Sequence, residues 1–290
     1  MSRVDSLQNC EDCVPPADAF SVVADETRLA ILEALWQLET PARFTDVHDE
    51  VGLRDSAQFN YHLGKLTGQF VRKREEGYEL RTAGERVVQA ILAGSFTEHP
   101  RREFDLSDPC TKCGEPLAAE YEDETLAISC PACGHGHGEY PFPPGGFHER
   151  SDEEVLEAFD QRVRHLHCLA KDGVCPECNG RMETTISREG DCCLGARVRA
   201  EHVCRQCHHE LCSAVGLALL DQSDVVAFCD EQGVALSETP YWRFEWCVDD
   251  EPVTVDSEDP WRLTVDVTVG GETLRVTVDG DLSVVDIERA

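Results

Sequence analysis

At 290 residues and 41% hydrophobic, the chain has room for two or three domains and enough apolar material to bury their cores, which excludes wholesale disorder. Its 57 Asp and Glu stand against 26 Lys and Arg, of which only 4 are Lys, for a formal charge of −31. A shell this acidic repels itself in dilute buffer and suits molar salt, where carboxylates hold water and cations. No apolar run reaches the roughly 18 residues of a spanning helix, and MSRVDSLQNCEDC lacks the apolar stretch of a signal peptide. The expectation is a cytoplasmic protein without a membrane partner, in which sixteen cysteines read as metal ligands and buried thiols before disulfides.

Residues 1–17 read as a flexible N-terminal tail, with Cys10 and Cys13 a pair lacking a partner pair. Residues 18–38 place Val22, Val23, Leu29, Ile31, Leu32, Leu35 and Leu38 near helical spacing, and Asp25 breaks or caps the run. Thr45 is the expected cap of a short helix burying Val47 and Val51, which Gly52 ends. Asp55 or Ser56 then caps a second helix, 56–68, with Phe59, Leu63 and Leu66 inward. Two short helices about a glycine turn make a helix-turn-helix pattern. FVRKREEGYELRTAG alternates like two strands around Glu76-Gly77, a hairpin wing, and a last helix over 83–94 shows Val87, Val88, Ile91 and Leu92 on one side as a dimer surface.

ADETRLAILEAL, SAQFNYHLGKL and FVRKREEGYELRTAG, in that order and at those distances, resemble the ArsR-like winged helix-turn-helix transcription regulators, particularly their haloarchaeal members. The resemblance covers about residues 18–94. It implies a DNA-binding domain over 18–97, a homodimer formed through its terminal helices, and double-stranded DNA as partner. The family's metal-sensing cysteines are absent from FTDVHDEV, so metal sensing at that position is not expected.

After a spacer comes C-x2-C-x16-C-x2-C (Cys110, Cys113, Cys130, Cys133), and later C-x2-C-x25-C-x2-C (Cys175, Cys178, Cys204, Cys207). Each pair can close a turn that points both thiolates at one ion, and two facing turns complete a tetrahedral site, with zinc the default metal and an iron–sulfur cluster the alternative. Two structural zinc ions are therefore expected. Gly114 and Gly134 supply the residue that accepts positive φ after the second cysteine, and Asn179 and His208 occupy that place in the second ribbon. His135 and His137 compete as ligands with less weight than the sulfurs. Residues 105–140 are read as the first ribbon, and 138–150 (GEYPFPPGGFHER) as a Gly/Pro linker. Ser151 and Glu154 form a capping box for a helix to about 170. The rest of 150–290 is the second ribbon, a helix over about 213–231, and antiparallel strands with a hairpin at Gly270-Gly271. Cys168, Cys212, Cys229 and Cys247 read as core, and Cys192 and Cys193 as adjacent thiols in the second ribbon's long loop. The fold class expected is α+β: a winged helix-turn-helix, two four-cysteine ribbons, and a small C-terminal unit of helix and antiparallel sheet.

Charge divides unevenly: residues 1–104 carry 12 basic and 18 acidic side chains, residues 105–290 carry 14 and 39. Within 52–74, Arg54, Lys65, Arg72, Lys73 and Arg74 face Asp55 alone. On helix 56–68, Gln58 and Asn60 suit adenine edges, and Ser56, Tyr61 and Lys65 suit phosphates or bases; Arg72, Lys73 and Arg74 would follow phosphates or the minor groove. His62 reads equally as a structural histidine. The function expected is sequence-specific transcription regulation, with the ribbons structural or offering the acidic C-terminal region to a protein partner. A protein-interaction adaptor and a thiol- or metal-responsive regulator stand as alternatives. An enzyme is not expected, since no phosphate-cradling glycine loop, nucleophile elbow or metal-hydrolase motif is found. At about 1 M salt the Debye length is near 3 Å, so binding must rest on short-range contacts. DNA affinity titrated against KCl should fall less steeply than for a basic regulator; a steep loss would contradict this.

Overall fold

The computed structural model describes residues 14–188 and 195–290, and the chain divides into two compact units, up to Thr97 and from Glu98. In the first, α1 (Pro16–Val23) opens on prolines whose fixed φ suits a first helical turn. Asp25 ends that run and caps α2 (Glu26–Gln37), its carboxylate accepting from the Arg28 amide at 3.1 Å. α3 (Phe44–Val51) stops at Gly52, which takes the left-handed conformation (φ 70°). Asp55 caps α4 (Ser56–Leu66) by accepting from the amides of Ala57 and Gln58. A short hairpin, β1 (Val71–Lys73) and β2 (Tyr78–Leu80), sets Arg72 opposite Glu79, and α5 (Thr82–Leu92) follows. The inward sides of these elements share one core of Ile31, Leu32, Leu35, Val47, Phe59, Leu63, Leu66 and Val88.

Thr45 does not cap α3. The helix begins at Phe44, with Arg43 at the cap position making no side-chain hydrogen bond, and Thr45 lies inside the first turn. Phe44 packs edge-on against Phe59 at 4.9 Å between ring centroids, and the helix starts two residues earlier than a Thr45 cap would allow, taking Phe44 into its first turn.

The second unit opens with a meander of β3 (Arg102–Pro109), β4 (Pro116–Glu122), β5 (Thr125–Ser129) and β6 (Gly136–Pro141). Burial alternates along it, with Phe104 and Leu106, Leu117, Ala119 and Tyr121, and Leu126 and Ile128 inward. A 3-10 turn (Pro144–Phe147) leads to α6 (Asp152–Lys171), whose capping box is formed: Ser151 accepts from the Glu154 amide and Glu154 accepts from the Ser151 amide at 2.7 Å. Next come the sheet β7 (Met182–Ser187), β8 (Arg199–Cys204) and β9 (Glu210–Ala214), a 3-10 turn (Val215–Leu219), α7 (Ser223–Glu231), a further 3-10 turn (Tyr241–Arg243) and the single turn α8 (Glu245–Val248). The closing meander is β10 (Val253–Glu258), β11 (Trp261–Val269), β12 (Glu272–Asp279) and β13 (Val284–Arg289), with Gly270 and Gly271 as the left-handed turn between β11 and β12.

Residues 138–150 are not a linker. Gly138 to Pro141 belong to β6, and Tyr140, Phe142 and Pro144 are buried, so the segment joins the core that its aromatic residues help to build. The helix expected from 213 begins only at Ser223; before it the chain ends β9 and makes the 3-10 turn, because Val215 to Leu219 are all buried and leave no solvent face for a longer helix. Both four-cysteine regions, α6 and the closing sheet share one apolar core, from Phe104 and Cys110 through Phe159 and Cys204 to Val276. The overall class is α+β with several antiparallel sheets and two four-cysteine clusters. No helix among the described residues is long and apolar enough to cross a membrane.

Gly216 has no room for a side chain: an added Cβ would overlap the Trp246 carbonyl. Gly216→Ala should lower the stability of the second unit by at least about 2 kcal/mol, read as the midpoint of denaturant unfolding; an unchanged midpoint would show that this backbone contact is loose.

Candidate metal centres and nucleic-acid interface

The eight spaced cysteines converge in two groups of four, Cys110, Cys113, Cys130 and Cys133, and Cys175, Cys178, Cys204 and Cys207, with all sulfurs of a group within 4.8 Å of one another. Across the facing turns, Cys110 lies 3.8 Å from Cys133 and Cys113 lies 3.4 Å from Cys130. In the second group both cross-turn separations, Cys175 to Cys207 and Cys178 to Cys204, are 3.6 Å. A tetrahedron with Zn–S bonds of about 2.3 Å has edges of about 3.8 Å, so both groups fit a tetrahedral ion such as zinc.

One turn is built four times. The amides of Gly114, Gly134, Asn179 and His208 donate to the carbonyls of Cys110, Cys130, Cys175 and Cys204, and all four of these residues adopt positive φ between 57° and 79°. The amide of each leading cysteine donates back across its turn, to Glu115, His135, Gly180 and His209 respectively. Amides inside the turns also point at sulfur, Lys112 at Cys110 (3.4 Å) and Gln206 at Cys204 (3.3 Å), which favours the thiolate. The Cys207 amide leads the effects that bring the Cys204 thiol down to about 6. At Cys130 burial opposes ionisation, but donation from the Cys133 and Ala132 amides and the Cys113 thiol outweighs it and brings the group to about 7.

The first cluster is braced from behind. His137 is fully buried, with Nε2 3.5 Å from the Cys110 sulfur and Nδ1 3.1 Å from the Trp242 carbonyl, so Nδ1 carries the proton and donates. It thus stands beside the sulfurs rather than replacing one. Asp249 receives Lys112 Nζ (3.4 Å) and lies 3.5 Å from His135 Nε2, anchored by the amides of Asp250 and Glu251. Asp108 accepts from Trp242 Nε1 (2.7 Å) and Arg243 Nε (2.8 Å). The segment 241–249 is therefore fastened to the first cysteine ribbon by polar contacts as well as by its tryptophans. Deeper in the unit, His167 lies between Tyr140 and His202, and burial pushes it down to about 3, so it is neutral. Of the other cysteines, Cys229 and Cys247 are core, whereas Cys168 and Cys212 are only partly buried. Cys10, Cys13, Cys192 and Cys193 lie outside the described residues.

Residues 107–284, more than half of the chain, match the model of a family described as a domain of unknown function, DUF7351. The chain belongs to the DUF7351 family. Both cysteine clusters and α6 fall inside the DUF7351 match, whereas residues 16–91 match a second domain of unknown function, DUF7347. No curated protein and no solved structure matches the chain.

In the first unit α4 turns Phe59, Leu63 and Leu66 inward and leaves Ser56, Gln58, Asn60, Tyr61 and Lys65 exposed, with Lys65 Nζ 5.5 Å above the Tyr61 ring. His62 is partly buried, its Nδ1 3.3 Å from the Asp25 carboxylate that caps α2. On the hairpin Arg72, Lys73 and Arg74 are exposed, but they are not free of carboxylate. Arg72 and Arg74 both reach Glu79 Oε1, at 3.1 and 2.8 Å, and Arg74 followed by Arg72 holds that carboxyl below its usual range. Lys73 Nζ lies 5.7 Å from the Tyr78 ring. Over residues 71–81 four cations thus meet three carboxylates, Glu75, Glu76 and Glu79. These three carboxylates lie just beyond the basic run 72–74, and the hairpin register outward from Glu76-Gly77 sets Glu79 opposite Arg72.

Metal analysis of the DUF7351 protein should return two ions per chain, and Cys204→Ser about one, with the melting temperature of the second unit falling when a strong chelator removes them. A metal-free chain that melts unchanged would show that the clusters are only neighbouring thiols without a structural ion.

Proposed function

We propose that the chain is a cytoplasmic transcription regulator that binds double-stranded DNA, with residues 18–97 acting as a winged helix-turn-helix of the ArsR-like kind and two zinc ions holding the acidic second unit. The observation that carries this reading is the exposed face of α4. Five polar or aromatic side chains, Ser56, Gln58, Asn60, Tyr61 and Lys65, point to solvent from an 11-residue helix whose other side is locked into the core. An α-helix fits the major groove, and Gln and Asn are the side chains that pair with adenine edges in two bonds at once.

The hairpin and the terminal helices agree with it. Arg72 and Arg74 share Glu79, yet each stays about half exposed and can exchange that carboxylate for a phosphate. Of the α5 side chains expected at a dimer surface, Val88 is in the core and Val87 packs against it, whereas Leu92 is exposed, as are Phe20 on α1 and Phe96 just beyond α5, and these suit a homodimer through the terminal helices. Such a dimer would place two copies of α4 about one turn of DNA apart, near 34 Å. The second unit, with 39 acidic against 14 basic residues over 105–290, repels DNA and serves as a metal-stabilised body for a protein or ligand partner. Four sulfurs per ion leave no open position for a substrate, which favours a structural role for the metal over catalysis.

Asn60→Ala or Gln58→Ala should weaken binding to the cognate site by about 1–3 kcal/mol and leave scrambled DNA unaffected, whereas Lys73→Ala should weaken both alike, in mobility-shift titrations on sites selected from genomic DNA. Equal losses on both DNAs for Asn60→Ala would remove α4 from base reading, and failure of the full chain to select any DNA would favour a protein-docking adaptor.

A further inference from the structure

A concave site separate from both cysteine clusters lies within the second unit. One side of α6 presents Gln161, Arg164, His165 and Cys168, spaced i, i+3, i+4 and i+7 along a single stripe. Across from it stand the 3-10 turn after β9 and helix α7. Leu217, Ala218, Leu220, Val226 and Leu236 make an apolar floor, and the cleft between the walls measures about 300 Å³. That is the small end of the range for small-molecule pockets, which are mostly apolar with a few polar groups that fix orientation.

The charges around the cleft are unequal in what they leave unsatisfied. Arg164 is spent on Asp160 Oδ2 (2.7 Å) and the Thr239 carbonyl (2.6 Å). Lys171 is spent on Asp221 Oδ1 (3.1 Å) and the Ala218 carbonyl (2.9 Å), and the Cys168 thiol donates to the same Asp221 at 3.4 Å. These bonds brace the two ends of the cleft. Asp230, exposed on its rim from α7, is paired with no Lys, Arg or His among the described residues. The arrangement therefore offers an apolar floor beside one uncompensated carboxylate, in a region with 39 acidic and 14 basic side chains. An anionic ligand would meet this field unfavourably, and an inorganic cation would satisfy the carboxylate but leave the floor unused.

We propose that this cleft binds a small organic cation, an amine whose apolar body of about one ring lies on Leu217, Leu220, Val226 and Leu236 with its ammonium group on Asp230. The site stands whether or not the first unit binds DNA, and its test involves no DNA. Cys168 lines the cleft, so its alkylation, followed by peptide-resolved mass spectrometry on the metal-loaded full chain, reports occupancy. Saturation-transfer NMR on the ring protons of the probe gives a second readout that does not need thiol reactivity.

With 2-phenylethylamine as probe at fixed KCl, saturable transfer and a slowing of Cys168 alkylation by at least about threefold are expected. Asp230→Asn, on an exposed rim, should weaken the probe about tenfold without changing the melting temperature, and Val226→Trp, which fills the cleft, should abolish both signals. 3-Phenylpropionate should neither bind nor protect, and added KCl alone should not slow alkylation. The proposal is overturned by equal protection from the propionate, by undiminished binding to Asp230→Asn, by protection from KCl alone, or by no saturable transfer up to about 10 mM amine.

Discussion

Four thiol sulfurs held within 4.8 Å of one another, twice in one unit, set the terms for everything between Glu98 and Ala290. Four thiolates so close repel strongly, and the surrounding chain is itself heavily acidic, so a cation or retained protons must balance them. The peptide prepares the sites by geometry rather than by basic side chains. Each turn aims backbone N–H groups at sulfur and relieves its own crowding with a left-handed residue after the second cysteine. The leading cysteines Cys110, Cys130, Cys175 and Cys204 are buried and belong to the same apolar core as α6 and the closing sheet. Anything that loosens the turns is thereby felt across the unit.

The first cluster bears a further mechanical load. Through His137, Asp249 and Asp108 it fastens the aromatic segment that carries Tyr241, Trp242 and Trp246. Asp250, next to Asp249, receives the amides of Arg197 and Val198 at the start of the second ribbon's return strand. One short acidic stretch therefore touches both ribbons. Buried carboxylates of this kind are tolerated because every one is met by amides or a cation; Asp160, held by Arg164 and the Tyr241 amide, follows the same rule.

Local signals were legible wherever the chemistry is local. Asp25 and Asp55 cap the helices they precede, Ser151 and Glu154 close their box, Gly52 ends α3, and Gly270-Gly271 turns β11 into β12. Asn179 and His208 take positive φ just where Gly114 and Gly134 do, since the turn, not the residue type, imposes it. The misreadings share another cause. The Gly/Pro content of 138–150 suggests a linker only until Phe142 is seen packing on Phe147, and Tyr140 and Phe142 both on Phe159 of α6, and Thr45 lost the cap because Phe44 had an aromatic partner on another helix. The turn between β4 and β5 uses Asp123 and Glu124 at positive φ, with no glycine to announce it.

The amino-acid order by itself determined the caps of α2, α4 and α6, the strand alternation of the closing sheet and the pairing of cysteines into two sets of four, because each depends on residues a few positions apart. Only tertiary structure decided that the two ribbons share one core, that Glu79 takes up both Arg72 and Arg74, that His137 lies behind Cys110, and that α6 and α7 leave an apolar cleft with Asp230 at its rim. Those outcomes depend on partners far apart in the chain or across a strand register, and burial and charge compensation are settled only when such surfaces meet.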